Sequence, residues 1–309
     1  MSTNESPRDA GSLALSRRPI LLATDGSDGS LGALTVALAL ASDHGAIVHV
    51  VHVVDTRSAA IPPPLDLMVA MGDAVAGPAV HDEQKQALRA ALSTQAGLQI
   101  DWPLEFLIGN PATTIVHEAR RIHAALIVVG LRKHGKLDRV VNDETAHKVM
   151  QHADCPVLGV VVGTTALPSR VLVALDFSKA SLLAAHAARM VAHKTARLSL
   201  VYVAPSAVDA LDEGELLVHK LGLESAFTKA RADLGNDASV DRVVLHPEQT
   251  RQPAEVILTY AEGNDIDLIA AGSARHALVE RWLLGSVSAA LVHDGRRSVL
   301  IVPPRRDSA

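Results

Sequence analysis

The chain has 309 residues, of which 48% are apolar and only 2% aromatic, and its formal net charge is −5. This composition and charge exclude a basic surface with interspersed aromatic residues, which is the surface that binds nucleic acid. No apolar run reaches the ~18 residues that a membrane-spanning helix needs. One cysteine, Cys155, cannot form an internal disulfide and suits a cytoplasmic location. Cores built from Ala, Val, Leu and Ile are typical of parallel strands covered by helices.

The first half of the chain alternates short apolar runs with helical patterns. Residues 1–18 are polar at their start and are predicted to form a disordered tail. We predict strands at 20–23, 46–54, within 98–108, at 125–129 and at 157–162, helices at 30–41, 81–96, 112–123 and 145–152, and an irregular loop at 55–77. This alternation predicts an α/β fold, a doubly wound five-stranded parallel sheet with strand order 3-2-1-4-5.

The second half repeats the first. The segment RVLVALDFS at 170–178 repeats PILLATDGS at 19–27, so that Asp176 follows Asp25 by 151 residues. A constant offset of 142 residues then relates Pro111 to Pro253, Gly130 to Gly272, Asp143 to Gly285, and Val157 to Val299. Such constancy indicates a tandem repeat. We therefore predict two domains, 19–164 and 165–309, whose apolar last strands pair to give an internal pseudo-dimer.

The ends of the strands in the second repeat carry a candidate ligand site. Ligands of an open doubly wound sheet bind where the strand order reverses, and this places Asp176 beside Gly272. A carboxylate accepts hydrogen bonds from ribose hydroxyls or base amino groups. The Gly285-Ser286 pair opens a helix, and a helix N-terminus with small residues binds phosphate. A nucleotide has donors that suit the Asp176 carboxylate and phosphates that suit the helix start at Gly285-Ser286.

Simpler interpretations of the same residues stay open. Asp25 and Asp176 also suit plain turns, and Gly285-Ser286 suits an ordinary helix start. The segment 130–137, GLRKHGKL, nearly matches a P-loop, but Leu137 lacks the hydroxyl that Mg²⁺ requires. The fifteen histidines show no metal-ligand spacing, and no nucleophile motif is present, so we predict no metal site and no catalytic residue.

These features resemble the universal stress protein family over essentially all of both repeats. The resemblance rests on Asp25 and Asp176 with the Ser two positions on, on Asn-Pro-Ala at 110–112 and Gln-Pro-Ala at 252–254, on the glycine of each fourth strand, and on the Pro-Val-Leu or Ser-Val-Leu last strands. ATP-binding members have a loop similar to Gly, two residues, Gly, nine residues, Gly-Ser/Thr. The second repeat matches this loop, with Arg275 in place of the middle Gly.

The resemblance implies ATP, with or without Mg²⁺, as the ligand of the second repeat. It implies that the adenosine contacts Ala174, Leu175, Asp176 and Val203. It implies that the phosphates contact Gly272, Arg275, Gly285, Ser286 and Val287. Arg275 either supplies charge to the phosphates or blocks their approach with its Cβ. In the first repeat, Lys133 and Asp143-Glu144 fall at the matching positions, and carboxylates at a helix N-terminus repel phosphate. We expect that the first repeat does not bind ATP in the family manner, although Asp25-Gly26-Ser27 and Gly130 remain.

The leading hypothesis is a bacterial, cytoplasmic stress-response protein in which ATP alters the surface shown to unidentified protein partners. Any ATP hydrolysis would be slow and incidental, and both a homodimer and a monomeric pseudo-dimer are open. The alternative is a degenerate scaffold of the same fold that binds no nucleotide and acts through protein contacts. A third hypothesis, an ATP-using ligase or hydrolase, lacks the SGGxDS and GxGxxG motifs and a complete P-loop.

Overall fold

The computed structural model describes residue 15 and residues 18–55, 78–131, 142–247, 251–273, 285–294 and 296–304. The chain divides into two compact units, which we call the first unit (15–153 and 159–166) and the second unit (154–158 and 167–309). The predicted loop beyond Asp55 lies outside the described residues, as does Arg275. No helix among the described segments is long and apolar enough to cross a bilayer.

The elements of the first repeat alternate as the sequence predicts. They are β1 (Ile20–Ala23), α1 (Leu31–His44), β2 (Val48–Asp55), α2 (Pro78–Ala96), β3 (Leu104–Gly109), α3 (Pro111–Arg121), β4 (Leu126–Leu131), α4 (Asn142–His152) and β5 (Val157–Val161). Helix α1 runs past its predicted end at Ala41 because Gly45, at φ 62°, supplies the left-handed residue that ends it. Gly130 lies inside β4 and does not end it.

The second repeat has the same order of elements. They are β6 (Arg170–Ala174), α5 (Lys179–Val191), β7 (Arg197–Val203), α6 (Glu213–Asp233), β8 (Val240–Leu245), α7 (Pro253–Gly263), β9 (Leu268–Gly272), α8 (Ser286–Asp294) and β10 (Ser298–Val302). The long α6 begins with a capping box, in which Asp212 accepts from the Glu215 backbone and the Glu215 carboxylate accepts from the Asp212 backbone.

The predicted strand order is confirmed in each repeat. The strands lie in the order β3-β2-β1-β4-β5 and β8-β7-β6-β9-β10. The pairs β1–β2, β1–β4, β6–β7 and β6–β9 are all parallel. The point where the order reverses therefore lies between β1 and β4 in one repeat and between β6 and β9 in the other, at the strand ends where the candidate residues fall.

The described residues begin within the predicted tail. Leu15 is only 3% exposed. Arg18 donates from Nε to the His123 carbonyl at 2.8 Å and from Nη2 to the Ala124 carbonyl at 3.0 Å. The end of the predicted disordered tail is therefore ordered at these two residues, since Leu15 is buried and the Arg18 guanidinium binds the loop before β4.

A glycine in the fourth strand of each repeat lets a helix start approach the sheet. A Cβ on Gly272 would lie 2.5 Å from the Ala180 carbonyl carbon and 2.6 Å from the Ser181 nitrogen. A Cβ on Gly130 would lie 2.9 Å from the Gly29 oxygen. Backbone atoms cannot rotate away as a side chain can, so both positions exclude larger residues. The two contacts are equivalent under the repeat offsets.

We predict that Gly272→Ala lowers the free energy of unfolding by about 1–3 kcal/mol, the usual cost of forcing a methyl into a filled site. Chemical denaturation measures this. Gly263→Ala is the control, because a Cβ there meets nothing within 4 Å; its helical position should leave stability unchanged or raised by less than about 1 kcal/mol. A Gly272→Ala protein within about 0.5 kcal/mol of the parent would contradict the packing argument.

Candidate functional site

Asp176 forms a turn directly after β6. Its Oδ1 accepts from the Ser178 backbone nitrogen at 2.9 Å. Ser178 caps α5 by accepting from the Ser181 nitrogen at 3.2 Å, and the Ser181 hydroxyl accepts from the Asp176 nitrogen at 3.4 Å. One carboxylate oxygen of Asp176 therefore stabilises a turn, as the simpler interpretation of this residue predicts. The turn holds the exposed carboxylate at the N-terminus of α5.

The same hydrogen bonds set the ionisation of Asp176. Partial burial would raise the pKa of this carboxyl group, but hydrogen bonds from Ser178 and Ser181 outweigh burial and lower the pKa below its ordinary 3.8. The carboxylate is therefore ionised at neutral pH. An ionised carboxylate accepts hydrogen bonds only, so it suits a ligand that presents hydroxyl or amino donors.

The start of α8 lies against the end of β9. The Ser288 hydroxyl donates to the Gly272 carbonyl at 3.0 Å, and the Gly285 carbonyl accepts from the Ala289 nitrogen at 2.9 Å. Gly285 thus directly precedes the helix, and Ser286 is exposed in its first turn. The first N–H groups of a helix have no acceptor within it, so this turn presents donors to an anion.

The other predicted site residues lie on the neighbouring strands. Ala174 pairs in register with Ala271 of β9. Leu175 donates its backbone N–H to the Val201 carbonyl at 2.8 Å, and Val203 ends β7 two residues later. Hence the described members of the predicted set gather at the carboxyl ends of β6, β7 and β9 and at the start of α8. Arg275 lies outside the described residues, so its role stays a prediction.

Two serines that connect the parts of this site were not predicted from the sequence. The Ser181 hydroxyl binds the Asp176 backbone nitrogen, and the Ser181 backbone lies at the start of α5, close to Gly272. The Ser288 hydroxyl of α8 binds the Gly272 carbonyl. The repeat held a signal for the first of them. Ser30 stands 151 residues before Ser181, and each hydroxyl donates to the carbonyl three residues back, at 2.8 and 3.1 Å.

Phe177 has a left-handed backbone next to Asp176. Its φ is 59°, and the matching residue of the first unit is Gly26, at φ 73°. The Phe177 ring lies 5.5 Å from the Tyr202 ring and edge-on to Phe227 at 5.2 Å. The chain has only two Trp, two Tyr and three Phe, and three of these residues meet here. Aromatic packing thus holds a strained residue in place beside the carboxylate.

The first unit has a cleft of about 190 Å³ at the equivalent strand ends. We call it the first-unit cleft. Its apolar walls come from β1, β2, β4 and the first turn of α3, and its polar lining comprises Thr24, Asp25, Ser27, Ser30, Asp55 and Thr145. Neither Lys, Arg nor His is among its described lining residues. The part of the cleft that the structure describes is therefore lined by carboxylates and hydroxyls between apolar walls.

A larger cavity, about 500 Å³, lies between α1 and residues 95–102 of the first unit. Its walls are mostly Leu, Ala and Ile, with Trp102 at one side, and none of its described lining residues is charged. It adjoins the loop that leads into β3, at the amino end of that strand. It is thus remote from the strand ends at which doubly wound folds bind ligands.

The fold and the strand-end constellation define a tandem doubly wound α/β protein of the Rossmann-like class. The model of the universal stress protein family matches residues 16–160 and 168–303. The chain belongs to the universal stress protein family, as the sequence resemblance predicts.

Single-domain relatives match about half of the chain. A universal stress protein of Methanocaldococcus jannaschii is 32% identical over 143 residues, which are 46% of this chain and 80% of the relative. The stress response protein NhaX of Bacillus subtilis is 28% identical over 160 residues, covering 45% of this chain and 95% of the relative.

A solved structure matches both repeats together. The crystal structure of a universal stress protein from Archaeoglobus fulgidus is 21% identical, covers 93% of this chain and 98% of its own, and has a TM-score of 0.63. At this identity the likeness concerns the fold.

We predict that Phe177→Gly is less destabilising than Phe177→Ala. Both lose the aromatic contacts, but only Ala keeps a Cβ at a left-handed φ, which costs about 1 kcal/mol more. Denaturant titration should give the Gly variant the higher free energy of unfolding. Gly26→Ala, the matched change in the first unit, should destabilise, since its Cβ would also lie 2.9 Å from Leu88 Cδ1. A Phe177→Ala protein as stable as the Gly variant would show that the left-handed backbone at residue 177 does not strain a residue with a Cβ.

The lowered pKa of Asp176 predicts a pH-dependent contribution to stability. A carboxyl group with a depressed folded pKa stabilises fully above its unfolded pKa, near 3.8, and the contribution disappears as the pH falls through the folded pKa. Asp176→Asn keeps the turn acceptor but not the charge. The stability difference between parent and variant should be constant from about pH 5 to 7 and shrink below about pH 3. A difference that grows in acid would refute this sign.

Proposed function

We propose that the second unit binds ATP, with Mg²⁺ as its counter-ion, and that the protein is a non-enzymatic regulator of the stress response. The observation that carries the proposal is the position of the α8 start. Gly285 and Ser286 lie where a polyphosphate would meet free N–H groups and the positive end of a helix dipole. Asp176 is linked to the same point through Ser181 and Gly272.

The two ends of the site suit the two ends of a nucleotide. The ionised Asp176 suits ribose hydroxyls or an amino group. The apolar ends of β6 and β7, with Ala174 and Val203, suit a flat base. The helix start suits phosphates. Arg275 enters as a sequence argument only, either as an added cation or as an obstacle.

Regulation rather than turnover is the second half of the proposal. Among the described residues, no cluster of three or more His, Cys, Asp or Glu side chains is placed to hold a metal ion. The chain also carries no motif for a nucleophile with its base. We therefore propose slow, incidental ATP hydrolysis at most, in a bacterial cytoplasm.

The runner-up function, a scaffold that acts through protein contacts alone, is favoured by α6. This helix leaves Leu217, Val218 and Leu221 exposed by 58%, 71% and 62%. Three apolar side chains on one helical face are suited to contact with another protein. In this alternative the strand-end site has the family's shape without its ligand.

We expect calorimetric titration of the full chain with Mg-ATP to give one site per chain. The double variant Gly285→Asp/Ser286→Glu, which copies the first repeat into the second, should weaken binding at least about tenfold, or 1.4 kcal/mol, because it places carboxylates where phosphate would lie. Its fold should survive, since Asp and Glu are favoured at helix starts.

A charge-matched control separates local from global electrostatics. Ser225→Glu/Thr228→Glu adds the same charge on the exposed face of α6 and should leave ATP affinity unchanged. If both double variants weakened ATP binding equally, the net charge of the chain alone would explain the effect. No heat and no bound nucleotide in the parent protein would favour the scaffold.

A further inference from the structure

The residue after Asp176 has a backbone conformation that most residues avoid. Phe177 lies at φ 59°, where a Cβ comes too close to the following carbonyl oxygen. Glycine has no Cβ and takes this conformation freely, and the first unit has Gly26 at the matching position. Strained residues persist where their surroundings over-determine the conformation, and they cluster at ligand sites. The strain at Phe177 therefore directs attention to what holds this side chain.

The Phe177 ring contacts aromatic rings of two other elements. Its centroid lies 5.5 Å from that of Tyr202 on β7 and 5.2 Å from that of Phe227 on α6. The contact with Phe227 is edge to face, with an interplanar angle of 87°, which is a favoured arrangement of aromatic pairs. Phe227 is only 1% exposed, so it is fixed by the packing around it. The Phe177 ring is thus held by a side chain that is itself immobile.

Helix α6 is attached to its unit through few buried side chains. Of its 21 residues, Phe227 and Ala230 are the buried ones. Glu224 adds an ion pair with Arg242 of β8, but both side chains are more than half exposed, and such pairs contribute little. The contact between Phe177 and Phe227 therefore joins the turn after β6 to one of the two buried points of α6.

The left-handed residue also determines where the Asp176 carboxylate lies. The hydrogen bond from the Ser178 nitrogen to Asp176 Oδ1, at 2.9 Å, spans Phe177. A rotation of the backbone at Phe177 would separate the two partners of this bond. Ser178 in turn caps α5 by accepting from the Ser181 nitrogen at 3.2 Å. Holding the ring of Phe177 thus holds the carboxylate in a fixed direction at the start of α5.

The first unit makes the same connection with different side chains. Its turn after β1 contacts α2, the counterpart of α6. Leu88 Cδ1 of α2 lies 2.9 Å from the place where a Cβ of Gly26 would stand, and the Gln95 side chain of α2 donates to the Gly26 carbonyl at 3.3 Å. There the helix supplies the side chains and the turn supplies a glycine, whereas in the second unit the turn supplies Phe177. Both repeats therefore tie the turn after their first strand to the helix that follows their second strand.

We propose that Phe177 is a positioning residue, whose ring, held by Phe227 and Tyr202, fixes the backbone that aims the Asp176 carboxylate at the nucleoside end of the ligand. The inference rests on the proposed ATP site and names a residue that acts there without touching ATP. The phosphate end, at the start of α8, does not depend on this aromatic contact. Affinity for the nucleoside end therefore depends on how α6 is packed, and affinity for phosphate does not.

The test compares ATP with inorganic tripolyphosphate, which lacks the nucleoside, by calorimetric titration of the full chain with Mg²⁺ present. Phe177→Leu and Phe227→Leu each remove one ring of the pair. Each should weaken ATP binding at least about fivefold and leave tripolyphosphate binding within about twofold of the parent. The two changes together should weaken ATP no more than either one alone, because both act through the same contact.

Three further variants serve as controls. Phe177→Tyr keeps the ring and should bind ATP within about twofold of the parent. Phe106→Leu removes an aromatic contact of the first unit, with His52 at 4.4 Å, and should leave both ligands unaffected. Tyr202→Leu removes the other ring that contacts Phe177 and takes the place of Phe227→Leu if that variant does not fold.

The ionisation of Asp176 gives a readout that needs no nucleotide and that a general loss of stability would not move. Burial raises the pKa of this carboxyl group, and hydrogen bonds from Ser178 and Ser181 bring it below 3.8. If the ring holds the turn, Phe177→Leu and Phe227→Leu should weaken these hydrogen bonds and raise the pKa of Asp176 in the folded protein. NMR titration of the Asp176 carboxyl carbon measures this.

Two results would overturn the inference. One is a folded Phe177→Leu protein that binds ATP as the parent does and keeps the parent's pKa at Asp176. The other is an effect of Phe177→Leu on ATP that Phe227→Leu does not reproduce, since Phe177 would then act by touching the ligand. If the parent bound no ATP, the proposed function would fail, and the pKa of Asp176 in the two variants would still decide whether Phe177 positions the carboxylate.

Discussion

Both strand-end sites depend on one close contact, the packing of a helix start against a glycine of the fourth strand. In the second unit, Gly272 leaves room for the Ala180-Ser181 backbone, and in the first, Gly130 leaves room for Gly29-Ser30. This contact sets how near the turn after the first strand lies to the end of the fourth strand. Without it, the Asp176 carboxylate and the α8 start would not be positioned for the single ligand that we propose.

On that common frame, the two repeats differ in what they present. The second unit combines an acceptor, Asp176, with the donors of a helix start that has no acidic residue in its first turn. In the first unit, the Ser27 and Ser30 hydroxyl protons are donated within the turn after β1, and the sequence places Asp143-Glu144 where the second repeat has Gly285-Ser286. A duplicated fold can thus keep its backbone while a few side chains at the strand ends change.

The fold was largely predictable because its signals are periodic and occur twice. Short apolar runs gave the strands, and constant offsets gave the repeat, including the glycine pair whose packing role the structure explains. The limits were local. Leu15 is buried, and its neighbours in the sequence show no periodic pattern that would predict this burial. The left-handed Phe177 contradicts residue preference and is held by aromatic contacts from distant positions, which no local pattern reveals.

The candidate site was predictable in position and less so in chemistry. Topology placed Asp176, Gly272 and Gly285 together from the sequence alone. The direction of each hydroxyl proton was not visible there, because it depends on which oxygens face one another after folding. For the first repeat, the residue types alone suggested only repulsion of phosphate by Asp143-Glu144.

A crystal structure of the full chain grown with ATP and Mg²⁺ would show directly whether the second unit binds the nucleotide. We predict polyphosphate density against the backbone of Gly285 and Ser286 in the second unit, with Asp176 facing the nucleoside, and no phosphate in the first-unit cleft. Phosphate density beside Thr145 and Glu144, or ATP in neither unit, would contradict it.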